Sequence, residues 1–324
     1  MAVNANTNET YDVSTIREDL QDALISISPT DTPFMTLAGR KSVSNTYFEW
    51  ATVDLAAASS SNRVIEGEAA PGNDAPTNAV RLGNYTQLSD KVVEVSSTAN
   101  VVNGAGDAQT LAKQIAYKLK ELKRDMETML LDNVAANAGA SGTTARASAG
   151  LPAFLHTNVD RGTGGANGTL SGTTSGYVDA AATDGTLRAL TEDMLKGVIA
   201  DCWDNGAEPS VVLCGSAVKQ KISSTFTGSS TRYKDITDKT ISAAIDVYVS
   251  DFGELSIVPT RFQRARDVLV LDPSYVRVGY LQNTKQEPLA KTGHAERRLI
   301  SVEFGLQVDS EKAHGIIADI NGAL

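Results

Sequence analysis

Apolar residues recur at spacings of three and four in two stretches of the first half of the chain. In the first, Ile16, Leu20, Leu24 and Ile27 share one face, and Thr15 and Glu18 have capping-box spacing. Together they predict a short helix over 15–27. Ser28-Pro29 ends it, and the two prolines of SPTDTPFM at 28–35 predict an extended path. Phe34, Met35 and Leu37 are placed to anchor that path on an apolar surface. In the second stretch, Leu111, Ile115, Leu119, Leu122, Met126, Met129 or Leu130, and Val134 form a stripe. This predicts one long helix from Asp107 to about Asn137, roughly 45 Å at 1.5 Å per residue. Asp107 lies in its first turn, where a carboxylate complements the helix dipole. KELKRDME at 120–127 supplies the charged face. An aspartate at Leu119, on the stripe, is expected to prevent folding, and one at Lys120 to be mild.

Alternation marks the strands. YFEWATVDL at 47–55 reads as one, and YTQLSDKVVEVSS at 85–97 as another, with Val93 and Val95 on one face and Val92 and Glu94 on the other. Between them lie about 29 residues of Ala, Ser, Asn, Gly, Pro and charge. That is too long for a tight hairpin, and two strands around a polar tip bury no core of their own, so this arm needs a partner surface. Residues 138–186 are rich in Gly, Ser, Thr and Ala and read as loop, interrupted by the apolar LPAFLHTN at 151–158. A mixed α/β region follows. Leu190 to Asn205 is an amphipathic helix with Thr191 near its cap, PSVVLCGS at 209–216 a buried strand, and Ala217 to Phe226 a second helix. VYVSDFGELSIVP at 247–259 is a hairpin turning at Asp251–Gly253, and DVLVLDPSYVRVGYL at 267–281 is two strands around Asp272-Pro273. RRLISVEFGLQVDS at 297–310 and AHGIIADI at 313–320 are expected to form a C-terminal pair.

The 324 residues are enough for one large or two small domains with a sizeable core. A net charge of −10 argues against broad, sequence-independent grip on nucleic acid, which needs a Lys/Arg excess, but not against enclosing it. The polar N-terminal residues 1–13 contain no basic region followed by an apolar run, so no signal peptide is expected, and no stretch approaches a membrane span. The sequons at Asn8, Asn84 and Asn167 are therefore chance matches. Cys202 and Cys214 fit no zinc or redox spacing and read as reduced, partly buried thiols of a reducing compartment.

A search for chemistry returns little. His156, His294 and His314 are the only histidines, and none has a second ligand at short spacing, so no metal is expected. There is no GxSxG elbow, and GTGGANG at 162–168 lacks the strand-to-helix setting and following lysine of a phosphate loop. No catalytic residue and no cofactor are predicted. What remains is charge on turns. RFQRAR at 261–266 gathers Arg261, Arg264 and Arg266 near Arg277, either for contact with phosphate or an acidic patch on a neighbouring copy, or as a solvated loop. Arg63, Glu66 and Glu68, in the polar arm, are the other candidate contacts between subunits.

The order of these elements, a polar arm, short helix, extended hairpin, long helix, mixed domain and returning strands, resembles the Hong Kong 97-type major capsid fold of tailed bacteriophages, an α+β architecture. REDLQDALISISPTDTPFMTLAG at 17–39, LGNYTQLSDKVVEVS at 82–96, KELKRDME, YVSDFGELSIVPTRFQRARDVLVLDPSY at 248–275, LAKTGHAERR at 289–298 and AHGIIADI are similar to the short-headed and related phage coat proteins. The resemblance implies an N-terminal arm at 1–45, an extended loop with its base strands at 46–100, a peripheral domain with the spine helix at 101–180 and 285–324, and an axial domain at 181–284. It implies hexamers and pentamers tiling an icosahedral shell around double-stranded DNA, assembled in the host bacterial cytoplasm, with a portal as partner and a decoration protein as a further candidate partner. No long charged helix precedes the arm, so a separate scaffold protein is expected. Some members of the fold weld subunits by a lysine–asparagine isopeptide bond carried on the extended loop; here 56–80 hold Arg63 and no lysine, so no such bond is expected. The alternatives are an encapsulin-like compartment, which shares the fold, and a soluble α/β enzyme, for which no signature exists.

Overall fold

The computed structural model describes residues 31–69, 75–102, 110–172, 174–226 and 247–321. The polar 1–13 segment and the helix predicted over 15–27 lie outside them. Twenty helices and strands make three sheets and two hydrophobic cores among the described residues.

The first sheet runs β1 (Gly39–Ser42), β12 (Val276–Pro288), β13 (Ala295–Val308), β4 (Gln87–Ser96). β13 is antiparallel to both long neighbours, and β1 adds in parallel to β12. Helix α3 (Thr110–Leu131) packs on β4 and β13. This explains the alternation in β4: Val93 and Val95 are buried, while Val92 and Glu94 face outward. The helix ends at Leu131, three residues before Val134, which is exposed, so the apolar stripe is shorter than its periodicity implied. Residues 103–109, where its start was expected, are not described. Glu127 is not on the charged face: it is fully buried, and its two carboxylate oxygens accept the backbone N–H groups of Phe34 and Met35 at 2.7 and 2.9 Å. Those amides belong to α1 (Pro33–Leu37), a one-turn helix where an extended path was expected. Pro33 suits a first helical position because its amide has no intrahelical acceptor to lose, and Glu127 takes the donors that the turn leaves open.

A second sheet, β2 (Tyr47–Thr52), β3 (Val80–Tyr85), β7 (Ser175–Ala180), β6 (Thr169–Gly172), forms the base of the polar arm. The partner of β2 is β3, not the strand expected from residue 85 onward. Sequence periodicity missed β3 because its centre is Leu82-Gly83-Asn84, all buried. A side chain at Gly83 would meet the Tyr47 hydroxyl at 2.4 Å. Asn84 donates to Leu306 O at 2.8 Å and Ser148 Oγ at 3.1 Å, and accepts from Ala149 N at 3.0 Å. It ties the arm base to β13 and has no room for a glycan. The loop-like stretch 138–186 thus contains two strands of this sheet, and also β5 (Val159–Asp160) and α4 (Leu151–Phe154).

The third sheet has the order β5, β14 (Gly315–Ile317), β11 (Val268–Leu271), β8 (Val211–Cys214), β10 (Gly253–Pro259), β9 (Val247–Ser250). β8 and β11 are buried at every residue, the uninterrupted apolar pattern of central strands covered on both faces. Helix α5 (Glu192–Asp204), capped by Thr191 as expected, and α6 (Ser216–Thr225) contribute Leu195, Val198, Ile199, Val218 and Ile222 to the core. The expected C-terminal pair does not form. β13 belongs to the first sheet, while β14 crosses to the third and pairs with β11 and β5.

Candidate assembly surfaces

The described arm between β2 and β3 makes few contacts with the body. Residues 53–69 are exposed throughout, including Leu55, Val64 and Ile65 at 84%, 71% and 76%. Three large apolar side chains on one exposed segment suit a surface that a partner covers. The arm's local order is slight. Glu68 N donates to Ile65 O, and Ile65 N to Glu68 Oε2, around Gly67, whose φ of +84° suits glycine. At its root, Lys312 pairs with Asp54 at 2.6 Å. Arg63, Glu66 and Glu68 therefore share one exposed tip, with Glu68 partly engaged in its turn.

The arginines of 261–266 diverge. Arg261 is exposed. Arg264 and Arg266 pair with this chain's own carboxylates. Arg264 reaches Asp184 at 2.5 Å and Asp267 at 3.0 Å, and Arg266 reaches Asp319 at 2.6 Å and Asp184 at 3.1 Å. Arg277 pairs with Asp309. The glycine-rich 162–168 loop serves the same knot: Gly162 N donates to Asp319 Oδ2 at 2.9 Å, and a side chain at Gly162 would meet Thr186 O at 2.2 Å. Those glycines permit close packing over a carboxylate, and sequence alone gave no sign of the partner. A further patch that periodicity did not flag lies where α5 ends beside the β9–β10 turn: Trp203 and Phe252 stack with centroids 5.1 Å apart, 50% and 42% exposed.

The titratable groups of the interior are structural. Burial pushes the thiols of Cys202 and Cys214 up to about 12 and 11, which keeps them protonated and unreactive. Among the described residues no cluster of three or more His, Cys, Asp or Glu is placed to hold a metal ion, and no helix is long and apolar enough to cross a membrane.

Two buried groups shape the acid response in opposite directions. Burial lowers His314 from 6.5 to about 4, and its Nδ1 accepts from the Asp272 amide. The unfolded chain takes up that proton first, so His314's contribution is complete above pH 6.5 and is lost as pH falls to 4, about 3 kcal/mol in all. Burial raises Asp267 from 3.8 to about 6 despite Arg264 beside it. Here the folded chain takes the proton first, so acidification from pH 6 to 3.8 favours folding by a similar amount. The expected outcome is partial cancellation. Urea midpoints measured between pH 7 and 4.5 should fall more steeply for Asp267→Asn than for the parent, and less steeply for His314→Asn. Parallel profiles for all three would show that neither proton is linked to folding.

Comparison with known proteins bears on the whole chain. The family model for the SU10 major capsid protein matches residues 4–321. The major capsid protein of Escherichia phage Phieco32 is 38% identical over 109 residues, 34% of this chain and 31% of that protein, so the match spans about a third of the relative's length. Among solved structures, the capsid asymmetric unit of cyanophage A-1(L) superposes with a TM-score of 0.67 at 13% identity, covering 96% of this chain and 98% of the other. Gordonia phage Cozz gives 0.62 at 13%, over 98% and 96%. The holo-SrpI encapsulin complex of Synechococcus elongatus PCC 7942 gives 0.58 at 12%, over 98% and 97%. At such identities the structures speak to fold alone.

Proposed function

Since the chain belongs to the SU10 major capsid protein family, has the Hong Kong 97-type α+β fold and is a phage coat protein of a multimeric capsid shell, we propose that its copies form the hexamers and pentamers of an icosahedral virion shell enclosing double-stranded DNA. The observation that carries this is the arm of 53–69, whose Leu55, Val64 and Ile65 stand exposed, with no cover among the described residues of the subunit. Its role is structural and non-enzymatic. The net charge of −10 suits a container that holds DNA without gripping its sequence. Assembly in the host cytoplasm with a separate scaffold protein, a portal and a possible decoration protein completes the reading. Negative-stain microscopy of purified protein tests it: shells of uniform diameter are expected, and small monodisperse particles alone would overturn it. An encapsulin-like compartment shares the fold, and DNA rather than a protein cargo inside the particles separates the two.

Within the subunit, residues 1–45 serve as the N-terminal arm, 46–100 as the extended loop and its base, 101–180 with 285–324 as the peripheral domain, and 181–284 as the axial domain. The pairing of β14 with both β11 and β5 argues for counting β5 and β14 with the axial sheet. Arg63, Glu66, Glu68 and Arg261 are the inter-subunit contacts of this reading. Arg264 and Arg266 brace the turn that presents Arg261.

No isopeptide weld is expected in this shell. The reaction needs a neutral amine, and 56–80 hold no lysine. Lys91, in the returning strand, is bound to Asp125 at 2.6 Å, and that carboxylate holds its amine above the ordinary lysine value and so more firmly protonated. Particles boiled in detergent and reductant should run as one coat band near 34.2 kDa. A ladder of covalent multimers would refute this.

A further inference from the structure

An exposed aromatic pair marks one end of the third sheet. β8 and β10 run in parallel, so the last turn of α5, which leads into β8, and the β9–β10 turn lie at the same end of that sheet. The arginine–carboxylate knot at 261–267 follows the other end of β10, about 20 Å away along the strand. At this tip Trp203 and Phe252 stack with centroids 5.1 Å apart, and both are half-exposed. The backbone beneath them is fixed. Trp203 O accepts the Gly206 N–H at 2.8 Å, which closes the end of α5. Ser250 Oγ donates to Gly253 O at 2.8 Å and accepts from Phe252 N at 3.3 Å, which closes the turn. Rings presented on fixed backbone lose little freedom when a partner covers them, and exposed tryptophan is the side chain type that most often anchors such contacts.

Charge selects the occupant. Asp201, Asp204 and Glu208 around the end of α5, and Asp251 and Glu254 around the turn, are all exposed. From Glu192 to Glu208 and from Val247 to Pro259 the chain carries seven carboxylates and one cation, Lys196, which pairs with Glu192 at 3.1 Å. That net of −6 is more than half of the −10 of the whole chain. A second copy is a poor occupant. Its own tip brings the same charge, its exposed apolar arm brings Glu66 and Glu68 beside Arg63, and like charges set against each other across an interface are costly. We propose that the Trp203–Phe252 tip docks a basic amphipathic segment of a second kind of protein, which sets apolar side chains on the two rings and arginine or lysine among the five carboxylates. A guanidinium suits both parts of the surface, since it stacks on an aromatic face and pairs with carboxylates. The rings exclude water, and the charges set the orientation. This does not rest on the shell reading, because the tip is complete in one subunit.

Tryptophan fluorescence reads the test, because Trp203 is half-exposed while Trp50, the other tryptophan, is buried. The probe is a short, dye-labelled synthetic peptide of alternating arginine and leucine, added to the full chain. Its binding, followed by anisotropy, should shift the Trp203 emission to the blue and shield that ring from acrylamide. A peptide of alternating glutamate and leucine should do neither. Phe252→Ser, at an exposed turn position, should weaken binding of the arginine peptide about tenfold, and so should Asp251→Asn with Glu254→Gln. Asp90→Asn with Glu287→Gln removes two exposed carboxylates of the first sheet and should leave the affinity unchanged. An equal loss from that control pair would reduce the contact to general charge attraction and overturn the proposal. So would equal binding of the two peptides, or binding of neither. Shielding of Trp203 that grows with protein concentration or on assembly, with no peptide present, would give the patch to a second copy and overturn it as well.

Discussion

Deleting residues 60–78 leaves a folded subunit that forms no closed shell. The described residues of that span are exposed and contribute no side chain to either core. The base of the arm is held independently, through the β2–β3 register from Tyr47–Tyr85 to Thr52–Val80 and through Asn84 to β13. Shortening the loop also lowers its closure entropy slightly, so subunit stability should change by less than about 1 kcal/mol. Assembly should respond very differently. Ile65 and Val64 are the largest exposed apolar residues beyond the root of the arm, and every subunit of a closed shell would lose the same contact, so the deficit multiplies over the particle. Circular dichroism and urea unfolding of the variant should match the parent, while sedimentation and microscopy should find only small species. A variant that unfolds as a monomer would show that the arm belongs to the core. Closed particles of parental size would show that assembly does not use it.

How far the sequence reaches into this fold depends on how local the determinant is. The long helix, the β4 alternation, the Thr191 cap, the β9–β10 hairpin and the apolar β8 and β11 strands were all legible, because each is written in a contiguous pattern of period 3.6 or 2. β3 was not, since its buried centre is a glycine under a tyrosine and an asparagine with four polar partners reached from residues 85, 148–149 and 306. β5, β6 and β7 hide in a loop-like composition for the same reason: they are short and depend on strands far away in the chain. The candidate contacts divide similarly. The exposure of the arm followed from its polarity and length, whereas the inward turn of Arg264 and Arg266 depends on Asp184 and Asp319, which no spacing connects to them. Glu127 is the clearest case. Its place in a run of charge suggested a solvated face, yet it is buried against two backbone amides, and burial holds its carboxyl above the ordinary value.

Leu122→Asp should abolish the folded subunit. Leu122 is 2% exposed, between α3 and the strands it covers, and the residues of its apolar stripe include no cation to meet a new carboxylate there. Burying that charge, or protonating it and leaving a cavity where leucine packed, costs about 4 kcal/mol or more, a large part of the total stability of an ordinary domain. Leu119→Asp, which periodicity alone marks as equally severe, should cost less, about 1–3 kcal/mol, because its side chain is only partly buried and a carboxylate can turn toward water. Lys120→Asp, on the exposed face, should stay within about 0.5 kcal/mol. Soluble yield and urea midpoints read the series, with the order Leu122, Leu119, Lys120 from most to least damaging. Equal loss at Leu119 and Leu122 would mean that the N-terminal half of the helix is as deeply covered as the C-terminal half, and that this cover is already in place in the single subunit.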